Sequence, residues 1–372
     1  MPFFNAWESS DRETRLILTL AAIFFGMAVV VVFILLISRV RKNAIAKRTE
    51  ALTQALQGIL NSIIVNASVQ ESIPRSAFEF QIQQIRTIVG KSSFAKQLLI
   101  SQLIRLKKNL TGTSADILRQ LYLSLQLQQY SFTQLRSFHW YARARAMREL
   151  TEMQIVESAP LIEKALSSRN TILREEAFIS LANLRSTKPL SFLDNYHYPV
   201  TAWMQLNAYE LLQKLDPRQL PDFCQWFDHP NKTVSLFAVR MTAQFKQYSS
   251  ATRLAALLKD SEADLRYAAL KALTDLEVMD YLSDVKTLDK EIWSSPEYAK
   301  SYIQYIGHAQ HPRQKVDALE KFLRHDDYGV RFAAAESLLN DESTRAQGED
   351  LLRAAGEKGE ALMRHLSEPL LK

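Results

Sequence analysis

The polarity pattern along the chain changes twice. Leu16 to Ile37 runs for 22 residues without a charged side chain. As an α-helix rising 1.5 Å per residue, such a stretch covers about 33 Å, slightly more than the ~30 Å hydrocarbon core of a bilayer. Helices inside soluble domains keep a polar stripe, so a stretch apolar on every face predicts a membrane span over 16–37. A cleaved leader is the competing reading. Its apolar region is shorter, whereas this one runs into Ser38-Arg39-Val40-Arg41-Lys42 with no small-x-small site.

The second change is a long period laid over helical spacing. Segments starting at Arg136, Ser167, Tyr198, Asp228, Lys259, Trp293 and Arg324 align at intervals of 30 to 34 residues. Ten positions into each stands Ala146, Ala177, Ala208, Ala238, Ala269, Ile303 or Ala334, and apolar residues recur four before and four after in most segments. These offsets define one face of an α-helix, with a small residue where a neighbour must come close. Between the segments lie second apolar sets, including 160–166, 220–227, 253–258 and 316–323, each predicting a short helix that packs back on the first. Pro160, Pro189, Pro221 and Pro312 sit near helix starts and breaks, where proline is tolerated. A single helix pair cannot bury its own apolar face, so the pairs must stack.

Two segments carry a resemblance. Leu265-Arg266-Tyr267-Ala268-Ala269-Leu270-Lys271-Ala272-Leu273, after Asp260, and Val330-Arg331-Phe332-Ala333-Ala334-Ala335-Glu336-Ser337-Leu338, after Asp326, resemble the consensus of HEAT repeats. The short period is similar to that of the bacterial HEAT-like repeats of the phycobilin-lyase type. The resemblance covers roughly 136–345 and implies an all-α fold: a HEAT-like α-solenoid, a right-handed superhelix of helix pairs, behind one transmembrane helix. It also implies that Arg143, Arg174, Arg266 and Arg331 tether inter-helix loops through acids such as Asp260 and Asp326. The segments at Tyr198 and Trp293 depart from the pattern, with Gln205 and Lys300 in the arginine column, and Gly307 is expected to mark a bend. One position before the alanine column stand Arg145 and Glu176, expected to pair across neighbouring repeats.

The expected organisation is a short extracytoplasmic tail (1–15), the span (16–37), a basic juxtamembrane linker or helix with a polar break (38–74), a helical cap of degenerate repeats (75–135), the repeats (136–348) and a fraying tail (349–372). Arg39, Arg41, Lys42, Lys47 and Arg48 follow the span against the single acid Glu50. Lysine and arginine stay on the cytoplasmic side, so the N-terminus should face out and the bulk of the chain in. These five also form the expected contact with anionic lipid headgroups. Asn66, Asn109 and Asn231 begin N-x-[ST] sequons, which are chance matches on that reading.

Composition narrows the chemistry. Nine glycines include no G-x-G pair and no Walker-A spacing, and there is no H-E-x-x-H or G-x-S-x-G. Cys224 is the only cysteine, so no disulfide closes within the chain, and beside Phe223 and Trp226 it reads as a packed thiol. His308 and His311 lack a third ligand nearby. No enzyme activity, catalytic residue, cofactor, metal or small-molecule substrate is expected. Residues 51–160 hold 12 Lys/Arg against 6 Asp/Glu, whereas 161–372 hold 27 against 30. Trp140, Tyr141, Arg143, Arg145 and Arg148 are expected to bind a partner, and so are Tyr196, Trp226, Phe227 and Phe322 on a second-helix face. The expected function is a membrane-tethered protein-interaction scaffold or adaptor, for instance an accessory subunit of a bacterial inner-membrane enzyme or transport assembly. A HEAT-like lyase or chaperone pocket is one alternative. A tethered nucleic-acid-binding solenoid is another, and nucleic acid is the weakest of the partner readings.

Overall fold

The computed structural model describes residues 12–69, 75–110, 112–185, 188–308 and 311–367. The tail with Phe3, Phe4 and Trp7 lies outside these. Among the described residues every regular element is helical. The chain divides into two compact units, one ending at Ile155 and the other beginning at Val156.

The first unit is organised by α1, a single helix from Arg12 to Val69. Its 58 residues make it about 87 Å long. The polar break expected within 38–74 does not interrupt it before Val69, because 38–69 has no proline and is rich in Ala, Leu, Gln and Arg. The expected span lies bare on this helix, with Phe25 72% and Phe33 64% exposed. Lower down, Leu56, Leu60 and Ile63 share one face and are buried. That face packs on α2 (Arg75–Val89), α3 (Ser93–Lys108) and α4 (Thr113–Ser124). Then come α5 (Leu127–Leu135) and α6 (Trp140–Glu152), the first helix of the first aligned segment.

In the second unit the first helices are α8 (Thr171–Leu184), α9 (Ala202–Leu212), α10 (Lys232–Gln244), α12 (Ala263–Asp275), α15 (Pro296–Gly307) and α17 (Tyr328–Leu339). Between them lie α7 (Ala159–Glu163, ahead of α8), α11 (Ala251–Leu257), α13 (Leu282–Val285), α14 (Asp289–Ser294) and α16 (Pro312–Glu320). The chain closes with α18 (Glu342–Ala354) and α19 (Glu357–Ser367). Five of the six first helices begin four residues into their segment; the Trp293 one begins after three, at Pro296. Side-chain caps set several starts: Asn170, Thr201, Asn231 and Asp327 each accept a backbone N–H from the first turn. The small column is the spine of the stack, with Ala177, Ala208, Ala238, Ala269, Ile303 and Ala334 at most 1% exposed. Neighbouring first helices pack along it: α8 on α9, α10 on α12, α12 on α15, α15 on α17. The unit is a HEAT-like α-solenoid.

The arginine column tethers loops, but not through carboxylates. Arg266 Nη1 donates to the carbonyls of Asp260 (2.8 Å) and Ser261 (2.9 Å). Arg174 does the same to Ser168 and Arg169, and Arg331 to His325 and Asp326. A planar guanidinium can hold two successive carbonyls with one nitrogen and leave the other free to pair, as Arg266 does with Glu291 at 3.0 Å.

Three further expectations change. In two repeats the second helix shrinks to a 3-10 turn, Ser191–Asn195 and Phe223–Trp226; in the latter, a helix begun at Pro217 would lack the Pro221 N–H. Gly307 gives room to the next repeat, with Ser337 Oγ 2.9 Å from where a Cβ would stand. The tail expected to fray after Gly348 is instead the hairpin α18–α19. A Cβ at Gly359 would collide with the Leu352 carbonyl, so glycine there permits close packing. The expected Arg145–Glu176 pair falls across the boundary of the two units.

Candidate functional site

The residues expected to bind partners fall into two groups. Tyr196, Trp226, Phe227 and Phe322 are buried, at 2%, 3%, 2% and 0% exposure. Tyr196 packs edge-on against Phe178, and Trp226 Nε1 donates to Asp194 Oδ1 at 2.7 Å. Phe322 stacks among Trp293 and Tyr302. The second elements are too short to fill the space behind the first helices with aliphatic turns, so these large rings fill it. They are core, and the second-helix docking face they were expected to form does not exist at these positions. Trp140 and Tyr141 are exposed, at 45% and 51%, as are Arg145 and Arg148, with Arg143 half-buried.

The basic flank stands free on α1: Arg39, Arg41, Lys42, Lys47 and Arg48 are all exposed, and Arg48 lies over the Phe94 ring at 5.2 Å. The dense basic set farther on has a structural use. Lys107 Nζ donates to the Glu152 carbonyl, and Arg119 to those of Met153 and Gln154, while Lys108 pairs with the Glu152 carboxylate at 2.8 Å. These three cations cover the negative end of α6. Burial holds the Lys107 ammonium below its ordinary pKa.

A groove along the first-helix face of the second unit has no counterpart in the polarity pattern. Helices α9 and α10 approach less closely than the other neighbours. An open depression of about 660 Å³ lies there, lined by Leu206 and Tyr209 of α9, Leu236 and Arg240 of α10, and Tyr267 and Lys271 of α12, among others. Arg240 bridges the gap by donating to Gln205 Oε1 at 3.0 Å. At the α9 edge Trp203 and Leu206, one helical turn apart, are 55% and 49% exposed. The charged groups of the lining (Arg240, Asp264, Lys271, Asp275) all face solvent. A second depression of about 490 Å³ shares Gln244 and Asp275 with it and reaches His308. Its open shape and mixed apolar and charged lining suit an extended ligand rather than an enclosed one.

Other chemical groups are structural. Among the described residues no three His, Cys, Asp or Glu side chains converge as a metal site requires. Cys224 Sγ donates to Asp222 Oδ2, and partial burial together with that carboxylate pushes the thiol pKa up, away from the reactive thiolate. Two histidines at equivalent loop positions are latches. Nδ1 of His229 accepts the Asn231 N–H at 3.0 Å, which leaves Nε2 to donate to the Asp194 carbonyl. His325 does the same between Asp327 and Trp293. The sequence showed them only as unremarkable loop histidines, although both stand one residue into their segment.

One carboxylate escaped the sequence reading altogether. Glu149 of α6 is 4% exposed. Its Oε2 accepts from Ser131 Oγ at 2.9 Å, Ser131 accepts from Tyr122 OH at 3.0 Å, and Oε1 accepts from Gln97. Burial raises its pKa above the ordinary carboxylate value, against the opposing pull of these donors and Arg145.

No family model matches the chain, and no curated protein matches it. Solved structures with a similar fold include the CpcE–CpcF complex of phycocyanin lyase from Nostoc sp. PCC7120, at 14% identity, covering 61% of this chain and 94% of that one, with a TM-score of 0.29. A chain of the full-length AP-3 complex is 13% identical over 87% of this chain and 72% of its own length, with a TM-score of 0.37. A mutant of the karyopherin Kap121p is 12% identical over 80% of this chain, with a TM-score of 0.32, and this chain spans 34% of its length.

Proposed function

We propose that the chain is a membrane-tethered scaffold: α1 crosses a bilayer with its N-terminus outside, and the repeats hold a protein partner on the cytoplasmic side. The setting this reading favours is a bacterial inner membrane, with an integral-membrane or peripheral enzyme as the partner. The groove carries it. An exposed Trp203–Leu206 edge over an apolar floor with charges only at the rim has the make-up of a protein interface. The anchor adds effective concentration, since a partner in the same membrane meets the groove without a search through bulk solvent. On this reading docking and not bond-making is the work.

The test compares wild-type full-length protein with Leu206→Asp and Trp203→Ala after detergent solubilisation and affinity purification. Proteins captured by the wild type should be lost at least tenfold from Leu206→Asp, at unchanged helical content by circular dichroism. Equal recovery from both variants would remove the groove from the proposal.

A further inference from the structure

Phe138 is 105% exposed, more than a residue in an extended reference peptide. It lies in the loop before α6, beside Trp140 and Tyr141, whose rings meet edge to face at 6.1 Å, while His139 lies 5.4 Å from Tyr141. A lone exposed apolar ring needs no explanation, but three exposed aromatic side chains within the four residues 138–141 do. Along the sequence the aromatic set sits within a stretch whose only charged side chains are basic. From residue 117 to residue 148 the sequence has no Asp or Glu and five arginines, of which Arg136, Arg145 and Arg148 are exposed and Arg143 is half-buried. Arg119, the fifth, donates to carbonyls just past the end of α6.

We infer that this corner is a second membrane contact, in which Phe138, Trp140 and Tyr141 enter the interfacial layer of an anionic bilayer and the arginines meet its headgroups. Aromatic rings with a polar edge partition to the headgroup level, and each basic side chain near an anionic leaflet adds to the attraction. One weak contact of this kind would not hold a free protein. It gains strength here because the same compact unit carries α1, so the corner is presented to a bilayer already attached. The inference rests on the reading of α1 as a span. Its consequence is orientation: two points of attachment fix how the unit lies on the membrane, where one helix alone would leave it to swivel.

The experiment uses the full chain in a Cys224→Ser background, reconstituted into vesicles, with a nitroxide label at Val31→Cys or Phe138→Cys. Collision with oxygen, which concentrates in lipid, is compared with collision with a water-soluble nickel complex. In vesicles of phosphatidylcholine with phosphatidylglycerol both labels should read as lipid-exposed. In pure phosphatidylcholine the label at 138 should shift to the aqueous reading while that at 31 stays in lipid, and Arg136→Glu should reproduce the shift in anionic vesicles. A label at 138 that stays aqueous in both lipids, or reads as lipid-exposed regardless of lipid charge, overturns the inference while leaving the span intact. An aqueous label at 31 overturns the span itself. Shielding of 138 only after duplex DNA or an acidic protein is added assigns the corner to that ligand and refutes a lipid contact.

Discussion

Glutamine, lysine and glutamate stand in this chain at backbone positions where glycine is the ordinary choice. Gln154, Lys246 and Glu277 have φ of 54°, 52° and 57° and share one offset in their repeats, just past the first helix. Each closes that helix in the same way, with the next residue's N–H reaching back to Leu150, Thr242 or Leu273. A side chain in this left-handed region costs about 1–2 kcal/mol. Glu277→Gly relieves about 1–2 kcal/mol of strain against about 0.4–1 kcal/mol of added unfolded-chain entropy, so it should raise stability by about 0.5 kcal/mol in urea unfolding. An unchanged or lower midpoint would contradict this. Glu149 is the opposite case, a costly group placed in the interior. Its folded pKa is raised, so it favours the folded state in acid, and that contribution is lost as pH climbs from the unfolded value through the folded one. Glu149→Gln keeps an acceptor for Ser131 without the buried charge. It should unfold at higher urea than wild type at pH 8, with the gap closing toward pH 4.5. A gap independent of pH would mean that Glu149 does not carry the charge we assign to it. The sequence hid this residue because a glutamate in Arg-Glu-Leu-Thr-Glu reads as a solvated turn; only its place on the buried side of α6 distinguishes it from Glu152.

At the scale of elements, what was legible followed the chain's own periodicity. First helices were readable because each is one turn of repeat after another on a fixed register, with the alanine column fixing the approach of its neighbour. The second elements were not, since a 3-10 turn filled by Phe223 and Trp226 leaves the same apolar signature as a short helix. Nor was the closing hairpin, where Gly348 and Gly359 looked like breakers and act as contact points. Between α16 and α18 the stack is held by an ion pair with one buried end: Lys315, 2% exposed, meets the part-exposed Asp341 at 2.9 Å and also donates to the Gly307 carbonyl. Hydrogen bonds from Ser343, then Lys315, lower the Asp341 pKa to about 2. Its stabilising contribution is present above the ordinary carboxylate value and lost as pH falls through about 2. Removing one partner strands the other. Asp341→Ala leaves an ammonium buried without its counter-ion and a helix without its cap, and should cost about 3–5 kcal/mol. Lys315→Met leaves a half-exposed carboxylate that Ser343 still satisfies, and should cost clearly less. Equal losses in thermal or urea unfolding would show that the pair itself, and not the stranded charge, sets the cost.

For the molecule as a whole, the decisive physical fact is a helix whose apolar segment is exposed among the described residues. An uncharged stretch of twenty-two residues whose described side chains are exposed along α1 would favour aggregation in water, and on the proposed reading a bilayer removes that cost. Nothing in the fold selects the orientation; that rests on charge alone, Arg39, Arg41, Lys42, Lys47 and Arg48 on one side against a net negative tail on the other. Thiol labelling in intact cells can decide it. In a Cys224→Ser background, a cysteine at exposed Ser249 should be refractory to a membrane-impermeant maleimide until the membrane is opened by detergent, whereas one at Ser9 should react at once. The reverse pattern would place the solenoid outside and turn Asn109 and Asn231 from chance matches into exported sequons. Reaction of both cysteines in intact cells would remove the span altogether. A variant with Arg39, Arg41 and Lys42 changed to Glu distinguishes charge from fold as the cause: if the flank sets orientation, the two labels should exchange their behaviour in part of the population, and if the folded bulk sets it, they should not.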